Sequence, residues 1–273
     1  MINAKIYCLC LEDSLLSKVK SINYIPVGLG SGKFSEEWLR DNNGNNISHK
    51  NSYYGEYTFH YWLWKNYLDN FQNDEWIGFC AYRRFWQNKL ENLTNNFNFK
   101  NSILNNIPEE WENYDVVLGD KISLDNVKWM KVLKYGKKAL LRNPKAVFKN
   151  KRNIRFQFDM FHGNGVLDKA INLLGKEDKN DFKEFVNKET SYNQGNMFIC
   201  KSKKIMNNYY TTLFKWLYKC EDLFGFDLKG YGNIRIYAFL AERFLPYWFN
   251  KNTKVKEWPI LFYDLRNLNE QNY

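Results

Sequence analysis

Asn46-Ile-Ser-His-Lys-Asn-Ser-Tyr-Tyr-Gly-Glu56-Tyr-Thr-Phe-His-Tyr-Trp-Leu-Trp-Lys65-Asn66, followed at Trp76 by Trp-Ile-Gly-Phe-Cys-Ala-Tyr-Arg-Arg-Phe85, decides how this chain is read. The first stretch predicts a helix capped by Asn51 or Ser52 and running to about Asn70. On it Glu56, His60 and Trp64 lie four apart and share a stripe. The second opens as a compact apolar strand over residues 76–81 and ends in Tyr82-Arg83-Arg84. A helix feeding a buried strand is an α/β unit, and ligands of open α/β sheets bind beyond the carboxyl ends of the strands. Folding has no need of two adjacent arginines there, whereas a polyanionic ligand does. The active site is expected at this point.

The remaining elements extend the same pattern. Residues 4–11 form a short apolar strand in which Cys8 and Cys10 point to one face. Residues 24–30 make a strand or loop broken by Pro26 and Gly28, and residues 40–50 a polar loop. A second buried strand covers 115–118, while 87–110 is helical or irregular. Residues 121–160 are basic and show little periodicity, so they are expected to be an irregular excursion. Short helices follow at 166–174 and 179–188, then a strand at 195–200 entered through Asn193-Gln-Gly. Ser202 caps an amphipathic helix to Cys220 with Ile205, Tyr209, Leu213, Trp216 and Leu217 on one side. A last helix spans 235–249 and an extended tail 256–263. No internal repeat is present. This order predicts a single α/β domain over residues 1–273, a mixed, mostly parallel sheet flanked by helices.

Aromatics make up 18% of the 273 residues, enough both to fill a core and to stack on bases or sugar faces. The net charge of +10 suits an anionic partner, or simply solvated lysine. The basic tracts lack the interleaved glycine and aromatic signatures of RNA-binding domains, so nucleic acid is not expected. The five cysteines show no metal spacing and read as free thiols of a reducing cytoplasm. No signal peptide and no run of about 18 apolar residues occurs, which predicts a cytoplasmic protein and leaves peripheral membrane attachment open.

Several side chains carry two readings each. Arg83 and Arg84 either hold a diphosphate or pair with Glu56 or Asp74. Glu56, in apolar company, needs a ligand hydroxyl, a base edge or one of those arginines, because unpaired burial of a carboxylate is expensive. His162, in a glycine-flanked turn after Asp159, is a candidate general base or a structural histidine. Glu242 and Arg243 lie on a helix with Arg235, either at the site or as a surface ion-pair set. The Gly-x-x-x-x-Gly-Lys-Ser/Thr loop, Gly-x-Gly-x-x-Gly, His-Glu-x-x-His, Gly-x-Ser-x-Gly and zinc-ribbon patterns are all absent.

Tyr24-x-Pro26-x-x-x-Gly30, the loop from Asp41 to Ser48, Lys50 to Asn66, Ile77 to Arg84, Asn196 to Ile199 and Phe239 to Arg243 together resemble a family of small bacterial proteins from capsular and surface polysaccharide loci. That family, long catalogued as a domain of unknown function, is read as glycosyltransferases with a GT-A-like, Rossmann-like fold. The chain departs from its pattern at Asn45, where aspartate is usual, at Gly55, where cysteine is common, and at Leu11-Glu12, where a histidine is expected soon after the first strand. A GT-A enzyme usually carries a metal-binding Asp-x-Asp at a central strand end. This chain has no Asp-x-Asp and has Tyr82-Arg83-Arg84 in that place.

The resemblance implies a transferase that moves a sugar from a nucleotide-diphosphate donor, most simply UDP-linked, to a growing capsular or surface polysaccharide. Two fixed cations would stand in for a metal, so no cofactor is expected. Donor contacts are assigned to Asn46, Ser48, Asn51, Glu56, Tyr82, Arg83 and Arg84, and inversion needs a base among His162, Asp159 and Glu242. Acceptor contacts are assigned to Asn193, Gln194 and Asn196 together with the 121–165 segment, which is otherwise a mobile lysine loop. The acceptor would be a glycan or lipid-linked glycan. The competing class is a non-catalytic glycan- or nucleic-acid-binding module.

Overall fold

The computed structural model describes residues 4–88 and 98–268. Its strands are β1 (Lys5–Cys10), β2 (Ile25–Gly28), β3 (Leu39–Arg40), β4 (Ile77–Ala81), β5 (Arg84–Trp86), β6 (Val116–Gly119), β7 (Lys121–Ser123), β8 (Ser191–Asn193), β9 (Phe198–Cys200), β10 (Val255–Trp258) and β11 (Ile260–Phe262). The main sheet runs β10-β6-β9-β4-β1-β2-β3, with β5 and β11 attached beside β4, and β7 and β8 form a separate ribbon. Only β9 runs against its neighbours on that path; the other pairings are parallel.

Alternation along the strands builds two layers. Tyr7 and Leu9 of β1, Phe79 of β4, Leu118 of β6 and Phe198 of β9 face the larger core, shared with the helices Tyr57–Asn66, Lys203–Phe224 and Ile236–Asn252. Ile6, Cys8 and Cys10, with Cys80, Val117 and Ile199, face a second core of Trp76, Trp86, Trp111 and Trp258. All five cysteines are free, and the Cys8 and Cys10 sulfurs lie 3.9 Å apart on one face. The central strands β1, β4, β6 and β9 are buried on both sides, as in parallel sheets covered on both faces.

Four expectations need correction. The helix expected from Asn51 to Asn70 is broken at Gly55, whose φ of +56° no α-helix accommodates. It becomes Asn51–Tyr54, then Tyr57–Asn66, then a single turn at Leu68–Asn70. Residues 121–160 are not irregular: they contain the helices Trp129–Tyr135, Lys137–Arg142 and Ile154–His162, the last capped by Asn153 Oδ1 on Phe156 N at 2.8 Å. They close over a small core of Val132, Ala139, Ala146, Phe156 and Met160. One small apolar residue every second turn, among lysines, is too sparse a signal to show as periodicity. The Ser202 helix reaches Phe224 rather than Cys220, and the last helix Asn252 rather than Phe249.

Candidate functional site

Because β9 is antiparallel to both β4 and β6, its entry turn sits on the same sheet edge as the carboxyl ends of β1, β2, β4 and β6. Asn193 fastens the turn there by donating Nδ2 to the Gly119 carbonyl at 2.6 Å. Gly195 then adopts φ +102°, and its N–H donates to Glu242 Oε1 at 2.9 Å. A Cβ at Gly195 would lie 3.1 Å from Arg84 Nη1, so the arginine fork approaches this backbone closely. Asn196 Nδ2 donates to Glu56 Oε2 at 3.4 Å. One dipeptide thus brings Arg84 and Glu56 to a common edge.

The two arginines part ways. Arg83 is half exposed, and its Nε lies 3.2 Å from Asp264, a carboxylate already held by Arg266. Arg84 has no ion-pair partner among the described residues; its guanidinium only approaches the Phe262 ring, 5.7 Å away. Tyr82 packs against the second core, with the Arg83 guanidinium 4.8 Å from its ring. Neither arginine pairs with Glu56 or Asp74, which corrects that alternative. Glu56 is paired instead with Arg235, Nη2 to Oε2 at 3.3 Å. Gly55 makes room for this, since a Cβ there would overlap the Arg235 guanidinium. Among the described residues Glu56 Oε1 accepts no hydrogen bond.

The donor-loop residues separate into two groups. Asn51 Nδ2 donates to the Gly55 carbonyl at 3.0 Å and to Thr58 Oγ1 at 3.1 Å, beside Gly30 at the end of β2. It therefore belongs to the same edge. Asn46 and Ser48 satisfy each other, Ser48 Oγ donating to Asn46 Oδ1 at 2.8 Å. Their loop is pinned by Tyr61, Trp62 and Asn66. Asp41, in the same loop, is fully buried, and neither carboxylate oxygen has a hydrogen-bond partner. Desolvation pushes its carboxyl up, with the Thr58 hydroxyl and Arg40 opposing.

The candidate bases are held by local partners. His162 stacks on Phe239 at 3.8 Å and turns Nδ1 to the Gly232 carbonyl at 3.0 Å. Nδ1 is thereby the protonated nitrogen, and Nε2 faces Arg243 Nη2 at 3.4 Å. Burial first, then the Arg243 charge, brings its pKa down to about 3. Asp159 accepts the Gly165 N–H at 2.8 Å and lies 3.4 Å from Arg142, clamping the turn before the helix Val166–Ile171. Desolvation raises its pKa. Glu242 uses one oxygen on Gly195 and the other on Arg243. This is a buried pair, not the surface set offered as its alternative. Arg243 Nη2 also donates to Gln157 Oε1 at 2.7 Å.

Beside the turn lies a cleft of about 300 Å³ lined by Ser123, Lys128, Gln157, Phe161, Tyr192 and Gln194, among others. The Tyr192 hydroxyl is buried there without a partner, and burial raises its pKa. Sequence reasoning offered Arg235 only as a companion of Glu242 and Arg243 and missed Gln157 and Tyr192, which have no local signature; Gln157 arrives on the helix Ile154–His162 and Tyr192 on β8. Among the described residues no three His, Cys, Asp or Glu side chains gather as a metal set. No helix among them is long and apolar enough to cross a membrane.

Residues 5–253 match the family described as Domain of unknown function (DUF4422). The chain belongs to that family. Every motif carrying the resemblance read from the sequence falls within the matched span. The DUF4422 chain shares its fold with the apo structure of WbbM, a bifunctional glycosyltransferase, at a TM-score of 0.61 and 23% identity. The alignment covers 95% of this chain and 45% of WbbM, so the chain spans less than half the length of that protein. No curated protein matches it.

Proposed function

We propose that this DUF4422 chain is a glycosyltransferase that uses a nucleotide-diphosphate sugar, UDP-linked, and a glycan or lipid-linked glycan acceptor of a capsular or surface polysaccharide. The observation that carries the reading is Arg84: a guanidinium with no carboxylate partner among the described residues, set against a glycine turn at the carboxyl edge of the sheet. A fork in that position fits the diphosphate of a donor. The shared fold with a glycosyltransferase supports the same reading.

In the proposed step an acceptor hydroxyl oxygen attacks the anomeric carbon. The bond from that carbon to the diphosphate oxygen breaks, and its electron pair leaves on the diphosphate, where Arg84 stabilises the charge without a metal. The hydroxyl proton passes to a carboxylate. Glu56 fits this role better than His162, Asp159 or Glu242. Its Oε2 is positioned by Arg235 and Asn196 while Oε1 is open, and its side chain is 30% exposed. The cleft beside Gln194 offers amides, a hydroxyl and the Phe161 ring, the chemistry that suits sugar hydroxyls and a sugar face. It draws on both the 121–165 segment and the β8–β9 turn, which supports the acceptor assignment for Gln194, while Asn193 and Asn196 do not line it.

The test is release of nucleoside diphosphate from a panel of nucleotide sugars by purified protein, with and without chelator. Release that is unaffected by chelator and lost in Arg84→Ala is expected. A protein that binds glycans yet releases no nucleoside diphosphate from any donor is a binding module, and abolition by chelator refutes the metal-free step.

A further inference from the structure

The net positive charge of this chain is carried by one segment. Residues 121–160 hold 12 of the 40 Lys and Arg and only 2 of the 30 Asp and Glu, a net +10. The rest of the chain, with 28 of each sign, is neutral. The helical unit that these residues form carries a cleft of about 350 Å³, lined by Arg142, Lys145, Lys151, Arg155 and Lys188 and by no carboxylate. That volume equals roughly a dozen waters at ~30 Å³ each, room for a diphosphate.

The cleft is built rather than assembled from loose lysines. Arg142 and Arg155 share Asp168 Oδ2, the latter at 2.8 Å, and Arg142 is also 3.4 Å from Asp159. Arg155 Nη1 donates to Asn187 Oδ1 at 3.1 Å, and Asn153 Nδ2 to the Asn187 carbonyl at 2.8 Å. Both forks are therefore fixed before any ligand arrives. Lys145, Lys151 and Lys188 have no ion-pair partner among the described residues. With two fixed guanidinium forks, three unpaired lysines and no carboxylate in its lining, the cleft is short of an anion.

We propose that the cleft between Arg142, Arg155 and Lys188 binds a diphosphate group. It stands apart from the Arg84 edge and holds or fails independently of the transferase reading. The group arrives either on a soluble molecule or on a lipid. Leu141 and Phe148, 85% and 67% exposed, flank the cleft in sequence and motivate the lipid arm of the test.

The experiment compares wild type with a Lys145→Ala/Lys151→Ala/Lys188→Ala variant, whose three side chains are exposed and whose circular dichroism and melting temperature are checked first. Inorganic pyrophosphate is titrated calorimetrically at low ionic strength, and cosedimentation is measured with phosphatidylcholine vesicles with and without phosphatidic acid. Loss of at least tenfold in pyrophosphate affinity in the triple variant assigns the cleft to a diphosphate. If pyrophosphate does not bind and only the phosphatidic acid vesicles do, through the three lysines, the cleft takes a lipid monophosphate and the diphosphate assignment is overturned. Equal behaviour of variant and wild type in both arms overturns the proposal, as does pyrophosphate binding that depends on Arg84 and not on the lysines.

Discussion

Replacing Arg84 by alanine is expected to weaken donor binding while leaving the fold nearly intact. Its guanidinium touches no carboxylate among the described residues, and its contact with the exposed Phe262 ring lies at 5.7 Å. Such an exposed cation–π contact contributes about 0.5–1 kcal/mol, or roughly 1–2 °C in Tm for a chain of this size. A charge-assisted contact to a diphosphate contributes about 1.5–3 kcal/mol, which at 1.4 kcal/mol per decade is a roughly 10- to 150-fold rise in Kd. Arg84→Lys keeps the charge and loses the fork, so it falls between. Arg83→Ala is the control. Arg83 shares Asp264 with Arg266 and is half exposed, and its loss changes Kd by less than about fivefold. Calorimetric titration of UDP, beside thermal denaturation, measures both quantities. If Arg84→Ala binds UDP within twofold of wild type, or Arg83→Ala does more damage, the diphosphate does not lie on Arg84.

Three further outcomes are expected. Glu56→Gln, which keeps the Asn196 and Arg235 contacts in shape, lowers kcat by at least about a hundredfold with Tm nearly unchanged. A large loss of stability with normal turnover makes Glu56 a structural partner of Arg235 instead. Gln194→Ala raises the acceptor KM and leaves UDP affinity alone, because Gln194 is exposed and lines only the cleft; an unchanged acceptor KM places the acceptor elsewhere. His60 and His162 are both held at about 3 by burial, against an ordinary 6.5. Their folded pKa values are depressed, so their contribution is complete above about pH 6.5 and is lost as pH falls towards 3. It declines by ~2 kcal/mol per histidine at about pH 5. Urea denaturation between those pH values checks this, and a His162→Phe variant with an unaltered slope refutes it for that residue.

The sequence alone was enough to place β1, β4, β6 and β9, the α/β class, the shared face of Cys8 and Cys10, and an arginine pair at a strand end. Each of these follows from backbone geometry within a few residues: side chains alternate along a strand, and an apolar run must be buried. It also placed the Asn193–Asn196 turn at a strand entrance. Which arginine is free was decided only by the tertiary structure, because Asp264 comes to Arg83 from the far end of the chain. Glu56 finds Arg235 across 179 residues and Gly195 finds Glu242 across 47, distances over which no periodicity speaks. His162 looked like a base from its glycine-flanked turn, yet the packing of Phe239 and Arg243 around it depends on how the last helix crosses. The basic segment shows the same division. Its charge is plain in the sequence, but Val132, Ala139 and Ala146 become a core only once the helix Ile154–His162 lies across them. Local pattern reports where a side chain points along its own element, and the pairing of elements reports what it meets.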